Sequence, residues 1–202
     1  MEYWEKEIET MPRNGLRFLQ LARLNTTLEA AVRSSYYGGL AKRDRSFRTR
    51  VGEVAELQDF PFTTKQDLRD HFPYGFLSLP TKEIIRLHSS SGTTGNPTVI
   101  YHNRHDIASW ANLMARSLFC AGVRDTDVFQ NIVGYGLFTG GLGFQYGIER
   151  LGALSIPAGA GNSLRQIKLM RDYGTTAIHA IPSYLGRLLE VFREEEIGRA
   201  HV

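Results

Sequence analysis

Val128-Phe129-Gln130-Asn131-Ile132-Val133, Ala153-Leu154-Ser155-Ile156 and Thr176-Ala177-Ile178-His179-Ala180-Ile181 are three short β-prone runs. The residues between them have the spacing of helices. A glycine-rich turn from Gly134 feeds a helix that closes at Gly152. Ser163, with Gln166 three residues on, reads as the cap of a helix that stops at Gly174. Ser183 reads as the cap of a last helix carrying Tyr184, Leu185, Leu188, Leu189 and Phe192. Strands alternating with helices across short connections predict an α/β protein with a mostly parallel sheet covered by helices. Ligands of such sheets gather at the carboxyl ends of the strands, which here begin at Gly134, Pro157 and Pro182.

Working toward the N-terminus, Asn103 offers a cap to a helix whose Ile107, Trp110, Ala111, Met114 and Leu118 line one face, and Gly122 ends it. Ile84-Ile85-Arg86-Leu87 and Thr98-Val99-Ile100-Tyr101 read as two more strands. Before them, Leu16, Leu19, Leu24, Leu28 and Val32 sit at near-helical spacing. Thr63 with Gln66 reads as a capping box at the start of a short helix. The expected organisation is a helical N-terminal region over 1–82, an incomplete α/β subdomain over 83–196, and a separate tail over 197–202.

The chain has 202 residues, of which 42% are hydrophobic and 22% charged, with a formal net charge of +3. This is the composition of a soluble globular protein, and the small basic excess names no partner. Lys42-Arg43-Asp44-Arg45-Ser46-Phe47-Arg48-Thr49-Arg50 reads as a solvated helix-to-loop segment, so no nucleic acid is expected. The single cysteine, Cys120, excludes an intrachain disulfide and reads as a small core residue. The charged N-terminus lacks the apolar run of a signal peptide, and no stretch is apolar enough to span a bilayer. A cytoplasmic protein with no membrane partner is expected. His88, His102 and His105 lack metal-ligand spacing, and His179 reads as a packed, hydrogen-bonded residue without a catalytic role. Arg150 and Arg165 read as surface salt-bridge partners before anion contacts.

The sharpest chemical feature is Ser89-Ser90-Ser91-Gly92-Thr93-Thr94-Gly95-Asn96-Pro97-Thr98. Its glycines let backbone amides turn inward among hydroxyls, a donor set suited to phosphate oxygens. It is not a Walker A loop, because Pro97 and the β-branched residues after it lead into a strand, not a helix. A polar hairpin connection is the plainer reading of such a composition. The order Ser-Ser-Gly-Thr-Thr-Gly-x-Pro-Thr, however, resembles the phosphate loop of adenylate-forming enzymes. The resemblance implies that Ser90, Ser91, Gly92, Thr93, Thr94 and Gly95 bind the phosphates of ATP. At Asn96 the sequence departs from that class, which commonly has lysine there; asparagine supplies only a neutral donor.

Five further segments resemble phenylacetate–coenzyme A ligases in the same order along the chain: Pro61 to Arg69, Gly134 to Gly143, Gly147 to Ala153, Gly161 to Gln166, and Ile181 to Tyr184. That resemblance implies a substrate pocket at Gly134-Tyr135-Gly136-Leu137-Phe138-Thr139-Gly140-Gly141-Leu142-Gly143. An aryl acid needs an aromatic wall and close backbone approach. Tyr135 and Phe138 would supply the wall, while Gly140, Gly141 and Gly143 would leave room. The alternative is that these residues pack the entry to a helix. The resemblance further implies an acyl-adenylate intermediate, with ATP, an aryl acid and coenzyme A as small-molecule substrates. Magnesium is implied too, its ligands expected outside this stretch. No catalytic residue is assigned within the chain. Alternatives of a different kind are an adenylation module serving a carrier protein, and a non-catalytic fragment.

Ile197-Gly198-Arg199-Ala200-His201-Val202 bears no likeness to that family. It is the translation of ATC GGA AGA GCA CAC GTC, the start of a widely used sequencing adapter. The expectation is a truncated N-terminal piece with a non-native tail.

Overall fold

In a computed structural model of the protein, residues 2–91 and 95–194 are described. Gly92, Thr93 and Thr94 of the expected phosphate loop lie outside the described residues, as does the tail over 197–202. The chain forms two compact units, one made of residues 5–106 and one made of the extreme N-terminus with residues 107 onward. The two candidate strands before Asn103 therefore group with the N-terminal helices, whereas the change in sequence character falls near Glu83.

The 5–106 unit contains α1 (Lys6–Glu9), α2 (Arg13–Ala31), α3 (Ser35–Arg43) and α4 (Lys65–Asp70), followed by β1 (Arg86–Ser89) and β2 (Val99–His102). Its core joins Leu28 of α2 to Tyr36 and Leu40 of α3 and to Phe47 and Val51 beyond them. Aromatic edges and faces fill the gaps: Tyr36 stacks on Phe76 at 4.3 Å and Tyr37 on Phe47 at 5.4 Å. β1 and β2 are antiparallel, with Leu87 opposite Tyr101 and Ser89 opposite Val99, one to two residues later than the sequence pattern suggests. The basic run is a helix end and loop in which Arg48 pairs with Glu56 and Asp59.

In the second unit α5 (Arg104–Cys120) leads to β3 (Val128–Asn131), α6 (Thr139–Leu151), β4 (Leu154–Ile156), α7 (Ser163–Tyr173), β5 (Ala177–His179) and α8 (Pro182–Glu194). The sheet order is β4-β3-β5, all parallel, as the alternation predicts. Phe129 on β3 packs with Ala115 and Leu118 of α5 and Ile148 and Leu151 of α6. A second cluster joins Ile132 and Ile167 to Leu188 and Val191 of α8.

Several caps differ from the sequence reading. Thr64, not Thr63, caps α4: its hydroxyl accepts from the Asp67 amide while Asp67 accepts from the Thr64 amide. An aspartate at that position reaches back as well as the glutamine one residue earlier could. Donation from the Thr64 hydroxyl to Asp67 Oδ2, and then from the Thr64 amide, holds the Asp67 carboxyl below its ordinary pKa. Asn162 replaces Ser163 as the cap of α7, in the left-handed region at φ 52° that asparagine tolerates. Ser183 lies inside α8, which opens on Pro182, a residue suited to the first helical position. Cys120, at the last turn of α5, is exposed and is not a core residue. Gly152 and Gly174 end α6 and α7 as expected, both left-handed.

Two glycines of α6 set how closely it meets α5. A Cβ on Gly143 would stand 2.5 Å from the Trp110 ring, and one on Gly147 would stand 2.6 Å from Met114 Cβ. Replacing Gly147 by valine should therefore destabilise the chain by about 2 kcal/mol or more. Urea unfolding checks this; an unchanged midpoint would show that α5 and α6 do not meet here.

Candidate functional site

β1 and β2 flank the candidate phosphate loop, whose base is closed by its own polar groups. The Ser90 amide donates to the Thr98 carbonyl at 3.0 Å, and the Thr98 amide donates to Ser90 Oγ at 3.0 Å. Ser90 Oγ thus accepts a backbone bond across the base of the loop. Ser91 is exposed, and Gly95 is exposed at φ 128°, a backbone that side chains resist. Asn96 Nδ2 donates to the Arg69 carbonyl at 3.3 Å, tying the far side of the loop to the end of α4.

The substrate-pocket candidates lie in the other unit, on the connection from β3 to α6. Tyr135 is 37% exposed and Phe138 62% exposed. Gly140 would tolerate a Cβ without a clash, with Val133 Cγ1 the nearest atom at an ordinary contact distance of 3.8 Å. Gly141 is different: a Cβ there would stand 2.5 Å from the Gly134 carbonyl oxygen. Packing is by itself sufficient to require glycine at Gly141 and Gly143.

Behind this connection is a buried polar network that sequence reasoning missed. Asn131, fully buried at the carboxyl end of the central strand, donates from Nδ2 to Tyr135 Oη at 2.9 Å and to the Gly141 carbonyl at 2.8 Å. Its Oδ1 lies 3.0 Å from His179 Nδ1. Tyr135 Oη lies 2.8 Å from Gln145 Oε1, which also accepts from Ser155 Oγ. Gln130, the residue before Asn131 on β3, is equally buried and bonds Gln166 and Thr175. The one advance signal was two consecutive amides in an otherwise apolar strand. Burial raises the Tyr135 pKa, so the phenol is neutral. His179 stacks on Phe144 at 3.5 Å, the packed role expected of it. Arg165 donates to the Ala158 carbonyl and makes no described salt bridge, contrary to expectation. Among the described residues no group of three or more His, Cys, Asp or Glu could hold a metal ion.

The fold is similar to that of adenylate-forming acyl–coenzyme A ligases. The solved 2-hydroxyisobutyryl-CoA ligase, in complex with 2-HIB-AMP and CoA in the thioesterification state, superposes on 96% of this chain and 43% of its own, with TM-score 0.88 and 31% identity. The same ligase in the postadenylation state with 2-HIB-AMP gives TM-score 0.85 at 30% identity. Within the class, the chain is homologous over nearly its whole length to phenylacetate-coenzyme A ligases. It is 42% identical over 196 residues to that of Escherichia coli K12, and 40% identical over 196 residues to that of Thermus thermophilus, covering 95% and 96% of this chain. It is 41% identical to the Pseudomonas putida enzyme. The chain spans 44% of the length of each of these three relatives. No protein-family model matches it. No helix among the described residues is long and apolar enough to cross a membrane.

Burial holds the His179 pKa below its ordinary 6.5, so the ring folds neutral. The unfolded chain then binds the extra proton first. His179 therefore contributes stability that is complete above pH 6.5 and lost as pH falls through its lower folded value. Urea midpoints taken from about pH 7.5 down to about pH 5 should decline, and His179→Phe should flatten that decline by the histidine's share. An identical slope in the variant would place the titration elsewhere.

Proposed function

We propose that this chain is part of an ATP-dependent arylacetate–coenzyme A ligase whose acid is phenylacetate. The observation that carries the proposal is the 39–42% identity to four phenylacetate-coenzyme A ligases, against 31% for the hydroxyisobutyryl ligase of the same class. The whole protein converts ATP, phenylacetate and coenzyme A into AMP, diphosphate and phenylacetyl-coenzyme A. First, a carboxylate oxygen attacks the α-phosphorus of ATP and diphosphate leaves, giving an acyl-adenylate. The coenzyme A thiolate then attacks the acyl carbon and AMP departs.

In this reading the stretch Ser90, Ser91, Gly92, Thr93, Thr94 and Gly95 holds the departing phosphates by amide and hydroxyl donation. Such a grip acts by positioning and by spreading charge, as phosphoryl chemistry requires. Tyr135 and Phe138 form the aromatic wall of the acid site, and Gly140 gives the acid access to the backbone. The magnesium ligands belong to residues outside this stretch, so no step is assigned to the ion here. The proposal includes a cytoplasmic location, residues 83–196 as part of the nucleotide-binding domain, and small molecules as the only partners.

Acid-dependent exchange of labelled diphosphate into ATP, run on the complete gene product, tests this reading. Phenylacetate should support exchange and thioester formation. Replacing Gly95 by valine, which the backbone at φ 128° resists, should raise the KM for ATP by about tenfold or more. Exchange with amino acids but with no arylacetate would point to a module serving a carrier protein. Normal ATP use by the Gly95 variant would remove the phosphate loop from the mechanism.

A further inference from the structure

The polar network behind Tyr135 has a direction that two of its members fix. A backbone carbonyl can only accept, so the contact with the Gly141 oxygen identifies which end of the Asn131 amide is Nδ2. The same nitrogen must then donate to Tyr135 Oη, and the Asn131 oxygen must face His179. At the other end, Gln145 Nε2 donates to the Glu149 carboxylate, which also only accepts. Gln145 therefore turns its oxygen to Tyr135, and the tyrosine hydroxyl has to be the donor of that bond. The proton order runs one way: Asn131 amide to Tyr135 hydroxyl to Gln145 oxygen. Across the strand, the Asn131 oxygen requires a proton on His179 Nδ1 and leaves Nε2 as the acceptor end of a neutral ring.

Tyr135 thus has its one proton committed to Gln145 and its oxygen engaged by Asn131. Tyr135 as a whole is 37% exposed, and these two bonds set the position of its ring. We propose that Asn131 is a positioning residue for the acid site, fixing Tyr135 as an apolar wall with an inward-committed hydroxyl and thereby selecting acids that bind by ring packing. This inference rests on the assignment of Tyr135 to the acid site made above. A buried amide suits the role because its four polar bonds reach β5, the loop at Val133 and Tyr135, and α6 from the central strand.

Two measurements test it. On this chain, the ¹⁵N shifts of His179 at neutral pH should show Nδ1 protonated and Nε2 bare. The opposite tautomer would invert the Asn131 amide and overturn the inference. On the complete gene product, Asn131→Ala should raise the KM for phenylacetate about tenfold while the KM for ATP stays within about twofold. Tyr135→Phe, which cuts the same chain, should raise the acid KM about fivefold. Because both act through one contact, the double variant should be no worse than about twice Asn131→Ala alone. Multiplied effects, or an Asn131 variant that raises both KM values together, would show general support of the fold and overturn the role. Failure of the functional assignment is separately visible: the unmodified protein would then activate no arylacetate, while the tautomer still decides the hydrogen-bond order.

Discussion

Phe129, Gln130 and Asn131 form an unbroken buried run on the central strand, and two of the three are amides. A buried amide left without partners costs on the order of 1–3 kcal/mol per group, so each side chain must be met by something brought to it. Gln130 is met by Gln166 and Thr175, at the start and just beyond the end of α7. Asn131 is met by β5, by the loop after β3 and by the first turn of α6. The hydrophobic contacts of Phe129 hold α5 and α6 against the sheet, but they have no direction. The amides add register: a slip of one residue would turn both to the wrong face of the strand.

That constraint explains why the glycines cluster where they do. For Asn131 to reach the Gly141 carbonyl, the start of α6 must come down on the loop backbone at Gly134, and there is no space there for a side chain. Further along α6, Gly143 and Gly147 admit Trp110 and Met114 of α5 by the same means. A run of glycines in a helix weakens it intrinsically, by about 1 kcal/mol each relative to alanine. Close packing on both sides offsets that weakness. The glycines thus belong first to the architecture, and of Gly140 and Gly141 in the first turn only Gly140 would admit a Cβ without a clash.

How far the fold was legible follows from the kind of signal each element carries. Strand–helix alternation and the terminal glycines Gly152 and Gly174 act locally, and both read correctly. Caps are local too, yet Thr63-Thr64 and Asn162-Ser163 each offer two candidates in succession. Choosing between them depends on where the chain enters the helix, which tertiary contacts decide. Ser183 failed for a related reason, since Pro182 already supplies the helical dihedral at the first position. Cys120 read as core because its apolar neighbours Leu118 and Phe119 pack inward, but one further step around the helix turns it to solvent.

The candidate sites divide along the same line. The phosphate loop is contiguous, so its composition and order are visible in ten consecutive residues, and the clasp between Ser90 and Thr98 spans only eight positions. The network behind Tyr135 joins residues 4, 10 and 48 positions from Asn131. Nothing in the sequence brings His179 to Asn131 until parallel pairing places β5 beside β3, with those two residues in register. Polar residues in a central strand are therefore the part of such a sequence that local reading undervalues. Their partners exist only once the sheet has formed, and the burial that makes them expensive alone is what makes them fix the geometry of the loop above them.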